Sequence, residues 1–193
     1  MKVHELLEMS MIIPPYRQID DIENKQIYDT FVNILNTTST YSKVSDVSDD
    51  IELYLGNNHY MAINNKIKQV VYTMDYEVHH NSILKQYVTQ TWVWSNPEIQ
   101  TNLPTKLFFT LLDKYNTIVC DEKQTILGRD FWVKQMNKAF QDNLNVYFFN
   151  FKINLLVKLT NADDIEKYNK IYSVWNATKL AQTKVFVISK LDL

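Results

Sequence analysis

One stretch, residues 117–151, restricts the fold of this chain more than any other. An apolar run, Thr117 to Cys120, predicts a strand, and a helix is expected to end at about Gln141. Asn145 to Phe151 then predicts a second strand. Two strands joined through a helix form a βαβ-like unit. We therefore expect a mixed α/β protein.

The composition excludes several classes of protein. With 193 residues, 46% of them hydrophobic, the chain can bury a core, and we expect an N-terminal arm over residues 1–20 and one domain over residues 21–193. A net charge of −2 lacks the basic excess of a nucleic-acid-binding protein. No apolar run is long enough to span a membrane. The single cysteine fits a reducing cytoplasm.

Apolar spacing and turn residues predict the remaining elements. Residues 21–36 are expected to form a helix and residues 37–50 a polar loop, before an antiparallel meander. The strand-like runs of that meander are 51–55, 60–63, 67–78 and 83–94. Helices over 105–115 and from 161 to about 173, and a strand over 184–189, complete the prediction.

The order of these elements and one motif resemble a known family. Residues 120–132 read Cys-Asp-Glu-Lys-Gln-Thr-Ile-Leu-Gly-Arg-Asp-Phe-Trp, similar to an S/C-D-x-x-Q-T-x-x-G-x-x-F-W segment of bacteriophage-encoded proteins with a GNAT-like (Gcn5-related N-acetyltransferase-like) fold. Trp175-Asn176 and the run that ends in Ser189-Lys190 are similar to the end of those proteins. Over residues 22–190 the resemblance implies a mixed, mainly antiparallel twisted sheet with helices on both faces.

The resemblance also identifies the segment that would bind a cofactor. Acetyltransferases of this fold bind the pyrophosphate of acetyl-CoA with backbone N–H groups of a Q/R-x-x-G-x-G/A loop at a helix start. Here Gln100 is kept, but Leu103 and Thr105 stand at the glycine positions, and Pro104 lacks an N–H. With only two glycines in the chain, no other segment supplies a glycine-rich loop. The resemblance therefore implies a degenerate loop and no cofactor.

The family's general acid is altered in the same way. It is commonly a tyrosine in the pattern N-x-x-A-x-x-x-Y, and here Thr125, Gly128 and Trp132 take the places of Asn, Ala and Tyr. An indole N–H cannot protonate a leaving thiolate at neutral pH as a phenol can. The resemblance thus implies a scaffold that has lost acetyl transfer.

Other candidate sites have simpler structural interpretations. Asp75, Glu77 and His79 alternate on one strand face beside His80, as metal ligands could, but a solvated strand end is preferred. Cys120 precedes two acids, which disfavour a reactive thiolate, so a buried strand cysteine is preferred. The spacing of a buried helix face is shared by Phe131, Trp132, Met136 and Phe140.

Two classes of function stay open. The first is a non-catalytic bacteriophage component in the virion neck, near the portal or inside the particle, or a factor that binds a host protein, located in the host cytoplasm or the virion. Arm residues Met11, Ile12, Ile13 and Tyr16 are its expected contacts with a protein partner or a second copy, unless the arm folds back on its own sheet. The second is an acetyl-CoA-dependent N-acyltransferase with an atypical loop, supported by Gln100 and the strand order.

Overall fold

The computed structural model of this chain describes residues 20–99, 101–120, 126–175 and 183–193. Within them lie the helices α1 (Asp21–Thr37), α2 (Leu103–Tyr115), α3 (Ile126–Gln141) and α4 (Ala162–Tyr172). The strands are β1 (Ser42–Ser48), β2 (Ile51–Leu55), β3 (His59–Asn64), β4 (Gln69–Asn81), β5 (Lys85–Ser95), β6 (Thr117–Val119), β7 (Asn145–Asn150), β8 (Leu155–Leu159) and β9 (Lys184–Ser189). The mixed α/β class with a mainly antiparallel sheet is confirmed. The GNAT-like arrangement with helices on both faces stays a prediction.

Two helices begin at capping side chains. The Asp20 carboxylate accepts a hydrogen bond of 2.8 Å from the Glu23 N–H at the start of α1. The Asn161 side chain accepts from the N–H groups of Asp163 (2.9 Å) and Asp164 (3.2 Å) at the start of α4. These bonds satisfy amide groups that have no partner within the helix. The helix predicted from residue 161 to about residue 173 is therefore confirmed, with Asn161 as its cap.

The strands form one sheet in the order β1-β2-β3-β4-β5-β6-β9-β7-β8. The pair of β5 and β6 is parallel. Strand β9 lies between β6 and β7 and is antiparallel to both, with Ile188 opposite Ile118 on one side and Val146 on the other. Strands β6 and β7 are thus parallel to each other but not adjacent. The predicted βαβ-like unit is a split one, because β9 fills the gap between its strands.

Two strands were not predicted. Residues 37–50 were expected to form a loop, but Ser42–Ser48 is β1, at one edge of the sheet. Its pairing with β2 is irregular between Lys43 and Ser45 and between Asp46 and Ser48. An edge strand tolerates polar residues and bulges, because one side of it is not paired. Strand β8, also missed, is a five-residue strand at the other edge.

The chain divides into two compact units. The first contains residues 20–76 and 91–104, as far as these are described. Its core is an apolar cluster of α1, β3, β4 and β5 side chains, around which further aromatic residues pack. The Phe31 ring, for example, meets the rings of Tyr41 and Tyr54 edge-on at centroid distances of 4.9 and 5.6 Å. The buried members of this cluster are Tyr28, Phe31, Met61, Ile63, Val70 and Trp94.

The second unit contains residues 77–90 and the described residues from 105 to 193. Helix α4 packs on β7 through aromatic rings: Phe148 stacks on Tyr172 at a centroid distance of 4.7 Å and lies tilted against Tyr168 at 5.1 Å. Phe148 and Phe186, on the neighbouring strands β7 and β9, are fully buried. The expected single domain over residues 21–193 stays a prediction.

Asparagine rather than glycine occupies several left-handed turn positions. Asn58, Asn116, Asn143 and Asn154 have φ between 51° and 62°, whereas neither glycine has a positive φ among the described residues. Asparagine tolerates this region better than other residues with a side chain. Gly56 is needed for a different reason, because a Cβ there would lie 2.5 Å from the Tyr41 ring.

Candidate functional site

The predicted cofactor loop leads into the first turn of α2. Leu103 and Leu107 are 1% and 2% exposed, as expected if they belong to the core and do not line an open phosphate slot. The Leu103 N–H donates to the Thr101 hydroxyl over 3.4 Å, and Pro104 has no N–H to offer. The end of the helix that would hold a pyrophosphate therefore lacks two of its usual free donors. Gln100 lies outside the described residues.

Trp132, at the position of the family's tyrosine, is buried. Its indole is 3% exposed and meets the Phe108 ring of α2 edge-on at 5.0 Å. Phe131 is half-buried and contacts the same ring at 5.8 Å. Trp132 thus fills the space between two helices. The predicted burial of Trp132 is confirmed, and so is that of Met136, whereas Phe140 is half-buried.

A cavity of about 480 Å³ lies beside these helices. Thr105, the residue at the second glycine position, lines it together with side chains of α3. Gln135 of α3 joins the two helices, since its Nε2 donates to the Thr105 hydroxyl over 3.4 Å. The cavity volume falls within the range of small-molecule sites. The altered loop thus borders a space large enough for a ligand.

Two carboxamide oxygens at this cavity have no hydrogen-bond partner among the described residues: Gln135 Oε1 and Asn137 Oδ1. Gln135 is only 1% exposed. The sequence pattern did not identify it as a site residue, although it directly precedes Met136 on the apolar face. A polar residue inside an apolar stripe is the signal that would have found it, because buried polar groups need partners.

A second polar cluster lies in the first unit, on the paired strands β3 and β4. The His59 side chain is 4% exposed, and its Nδ1 contacts the Asp75 carboxylate. Its Nε2 lies 3.1 Å from the Thr73 hydroxyl. Burial, and to a smaller extent Asp75, raises the pKa of the adjoining Tyr41 phenol to about 12.

The cluster forms a carboxylate–imidazole–hydroxyl chain of the kind that activates nucleophiles. Thr73, however, is 3% exposed, so its hydroxyl cannot reach a substrate in this conformation. We assign a structural role to the cluster, which pairs two polar groups of adjacent strands inside the core. The sequence did not single out His59, because its partners become neighbours only when β3 pairs with β4.

The candidate metal ligands of β4 do not converge. Asp75 contacts His59, whereas His79 Nε2 lies 2.8 Å from the Thr89 hydroxyl and 3.6 Å from Glu77. No group of three His, Cys, Asp or Glu residues suited to a metal ion occurs in the described part of the chain. His79 is half-buried and stacks on Tyr87 at 5.1 Å, so its strand end is more structured than expected.

Cys120 is 1% exposed, directly after β6, as preferred from the sequence. Its sulfur accepts a hydrogen bond of 3.1 Å from the Phe186 N–H. This bond continues the contact between β6 and β9.

Met11, Ile12, Ile13 and Tyr16 lie outside the described residues, so their role in partner binding stays a prediction.

Comparison with protein-family models and with curated proteins finds no match to this chain. In the described ranges, no helix combines the length and the apolar character needed to cross a bilayer.

Proposed function

We propose that this chain is a GNAT-like scaffold that does not transfer acetyl groups and acts through protein contacts. Its setting is a bacteriophage: a virion component of the neck, portal region or particle interior, or a factor that binds a host protein. The burial of Leu103 supports the claim that the chain does not transfer acetyl groups. A glycine there would let the backbone approach a pyrophosphate, whereas a buried leucine uses the position for packing.

Trp132 supports the same proposal. The indole is buried against Phe108, and no phenol occupies this position of α3. The order of α1, antiparallel strands, α2, β6, α3 and β7 along the chain supports the resemblance. Four antiparallel strands, β2–β5, stand where the resemblance has three, and β1, β8 and α4 are additions to it. These features support descent from an acetyltransferase scaffold whose cofactor position now serves packing.

Exposed apolar side chains support the contact role. Ile126 and Leu127, adjacent in the first turn of α3, are both 81% exposed, and Ile171 at the end of α4 is 59% exposed. Neighbouring apolar side chains left in water are typical of surfaces that meet another protein. The arm residues predicted to bind a partner would add to such a surface.

Acetyl-CoA binding is the direct test of lost catalysis. We expect millimolar acetyl-CoA to leave the melting temperature unchanged, because a ligand stabilises only a folded state that it binds. Calorimetric titration should show no binding heat. Micromolar affinity would contradict the proposal.

A matched variant tests the role of Leu103 itself. Leu103→Ala should lower the free energy of unfolding by about 2–5 kcal/mol, as truncation of a buried leucine does, and should leave the response to acetyl-CoA unchanged. Lys106→Ala, an exposed change in the same turn, is the control and should have little effect. A Leu103→Ala protein of unchanged stability would contradict the packing role.

The contact role is tested by location. Mass spectrometry of purified particles should detect the chain if it is a virion component, and affinity capture from infected cells should recover one specific host protein if it is a host-directed factor. A chain that is absent from particles and captures no specific partner would contradict this half of the proposal.

A second candidate function is an acetyl-CoA-dependent N-acyltransferase with an atypical loop. The cavity beside Thr105 favours it, because the position of the second glycine still borders an open space. Release of free thiol from acetyl-CoA in the presence of an amine acceptor would support this candidate and contradict the first.

A further inference from the structure

Strand β8 is a sheet edge that lacks the usual protection against pairing with other molecules. It pairs with β7 on one side, and no strand in the described part of the chain pairs with its outer side. Its pairs with β7 follow one register without a bulge. Its sequence is apolar except for Lys158, whose Nζ lies 2.8 Å from the Asp192 carboxylate of the same molecule. A regular, apolar edge of this kind readily pairs with another strand.

The edge at β1 shows the protection that β8 lacks. Five of its seven residues are polar or charged, and its pairing with β2 is irregular at two places. Lys43 Nζ lies 2.7 Å from the Asp46 carboxylate and 2.6 Å from that of Glu52. Charges and bulges keep an edge strand from pairing with other chains. The contrast between the two edges indicates that another strand covers β8.

The hydrogen bonds of β7 show which backbone groups of β8 face outward. Directly after β7, the Phe151 N–H donates over 2.8 Å to the carbonyl of Thr183, which leads into β9. Successive residues of a strand direct their N–H and C=O groups to opposite sides, so odd-numbered residues of β7 face β9 and even-numbered ones face β8. The pairs of β7 with β8 join even numbers to odd numbers. The backbone groups that point away from β7 therefore belong to Leu156 and Lys158.

We propose that β8 pairs with the β8 strand of a second copy of this chain, antiparallel and about a twofold axis at Val157. Leu156 of each copy then lies opposite Lys158 of the other, so every outward N–H and C=O group of these residues gains a partner. The two Val157 side chains meet at the axis, and Leu155 of each copy lies opposite Leu159 of the other. The inference rests on the proposed role in protein contacts, for which it names the surface and the partner.

The neighbouring registers are less complementary. An axis at Lys158 would place two lysines opposite each other and would need the N–H of Thr160, which already donates to Asp164 Oδ2 over 2.8 Å. Like charges directly opposite are destabilising. An axis at Leu156 would need Asn154, whose φ of 51° is not that of a strand. The proposed axis avoids both problems, and this match of β8 with itself assigns the edge to a second copy.

Sedimentation velocity of the full chain measures the association. We expect a dimer at about 100 µM that dissociates on dilution, because one pair of short strands forms a small interface. Lys158→Pro removes one outward N–H from each copy while the bonds to β7 stay in place, and should weaken association at least about tenfold. Lys158→Ala is the control, since it loses the same contact with Asp192 but keeps the N–H, and should associate as the unaltered chain does.

A disulfide tests the register. Val157→Cys places two thiols at the axis, where opposite residues that share no hydrogen bond have Cα atoms about 4.5 Å apart, within reach of a disulfide. Mild oxidation should therefore link two copies. The Leu155 residues of the two copies would lie about 13 Å apart, so Leu155→Cys is the control and should not cross-link. Cys120 is buried and is common to both variants.

Four results would overturn the inference: a monomer at every concentration, unchanged association of a folded Lys158→Pro protein, equal cross-linking of the two cysteine variants, or a dimer that forms only after deletion of residues 1–16. The last result would show that the arm occupies the edge. If Lys158→Pro does not fold, the cross-link decides alone. None of these results affects the acetyl-CoA test or the detection of the chain in particles, so this inference and the proposed function can fail separately.

Discussion

The side chain of Asn24 on α1 pairs with the backbone of Val70 on β4 through two hydrogen bonds. Asn24 Nδ2 donates to the Val70 carbonyl over 3.1 Å, and the Val70 N–H donates to Asn24 Oδ1 over 2.7 Å. Asn24 is 3% exposed and Val70 2%. A carboxamide presents the same donor and acceptor as a peptide unit, so the Asn24 side chain pairs with Val70 in the way that the backbone of a neighbouring strand would.

Replacement of Asn24 should therefore be costly. In Asn24→Ala both backbone groups of Val70 lose a partner inside the core, and we expect the free energy of unfolding to fall by about 2–4 kcal/mol. Chemical denaturation measures the change. Asn33→Ala, on an exposed position of the same helix, is the control and should cost far less. Equal losses in the two variants would show that the paired amide contributes nothing beyond helix propensity.

Truncation of Trp132 tests the packing of α3 on α2. Trp132→Ala should lower the free energy of unfolding by about 3–5 kcal/mol, the range for a large buried aromatic side chain. Leu127→Ala, an 81% exposed position of the same helix, should change stability little. A Trp132→Ala protein of full stability that loses only partner binding would place the indole in an interface instead.

The hydrogen bonds of Glu52 predict that the free energy of unfolding depends on pH. Its carboxylate accepts hydrogen bonds from Lys43 Nζ (2.6 Å), Asn65 Nδ2 (2.6 Å) and the Tyr54 hydroxyl (2.8 Å). These bonds, that from Lys43 first, lower the pKa of Glu52 from its ordinary value of 4.5. Because the folded state holds the more acidic group, its contribution is present above about pH 4.5 and is lost as the pH falls through the folded-state pKa.

The free energy of unfolding should consequently fall more steeply below pH 4.5 in the unaltered chain than in Glu52→Gln. Denaturant titrations between about pH 7 and pH 3 measure both slopes. Glu98→Gln, at an exposed position, is the control and should keep the original slope. Parallel profiles for all three proteins would mean that the bonds to Glu52 contribute no net stability.

Deletion of residues 1–16 tests the arm. We expect loss of partner binding or assembly with an unchanged melting temperature, since Ile12 and Ile13 are predicted to dock on another protein. The double variant Ile12→Asp, Ile13→Asp should reproduce the loss, and Lys2→Ala should not. A large fall in the melting temperature of the isolated monomer would instead mean that the arm folds back on its own domain.

The sequence predicted elements where apolar periodicity decides the structure. Helix α1 was predicted to end at Asn36 and ends at Thr37, and the strand over residues 184–189 was predicted with its observed bounds. Periodicity did not identify every residue that faces inward. Ile22, which fits the apolar pattern, is 72% exposed, whereas Asn24 is buried. Asn24 is buried because it forms two hydrogen bonds with Val70, a residue 46 positions away in the sequence.

Only some residues of the candidate site could be predicted from the sequence. Leu103 and Trp132 could be recognised because a resemblance supplied the residues expected at their positions. Gln135 left one signal, its place beside Met136 on an apolar helix face, whereas His59 left none, because its partner Asp75 comes near only in the fold. Polar contacts of this kind leave no period in the sequence.

The position of β9 has a consequence for synthesis of the chain. Because β9 lies between β6 and β7, translation must reach residue 189 before the sheet is continuous. Until then β6 and β7 each present an open edge that a strand of another molecule can occupy. A nonsense mutation shortly before Lys184 should therefore yield insoluble chains, even though it leaves the residues around α2 and α3 unchanged.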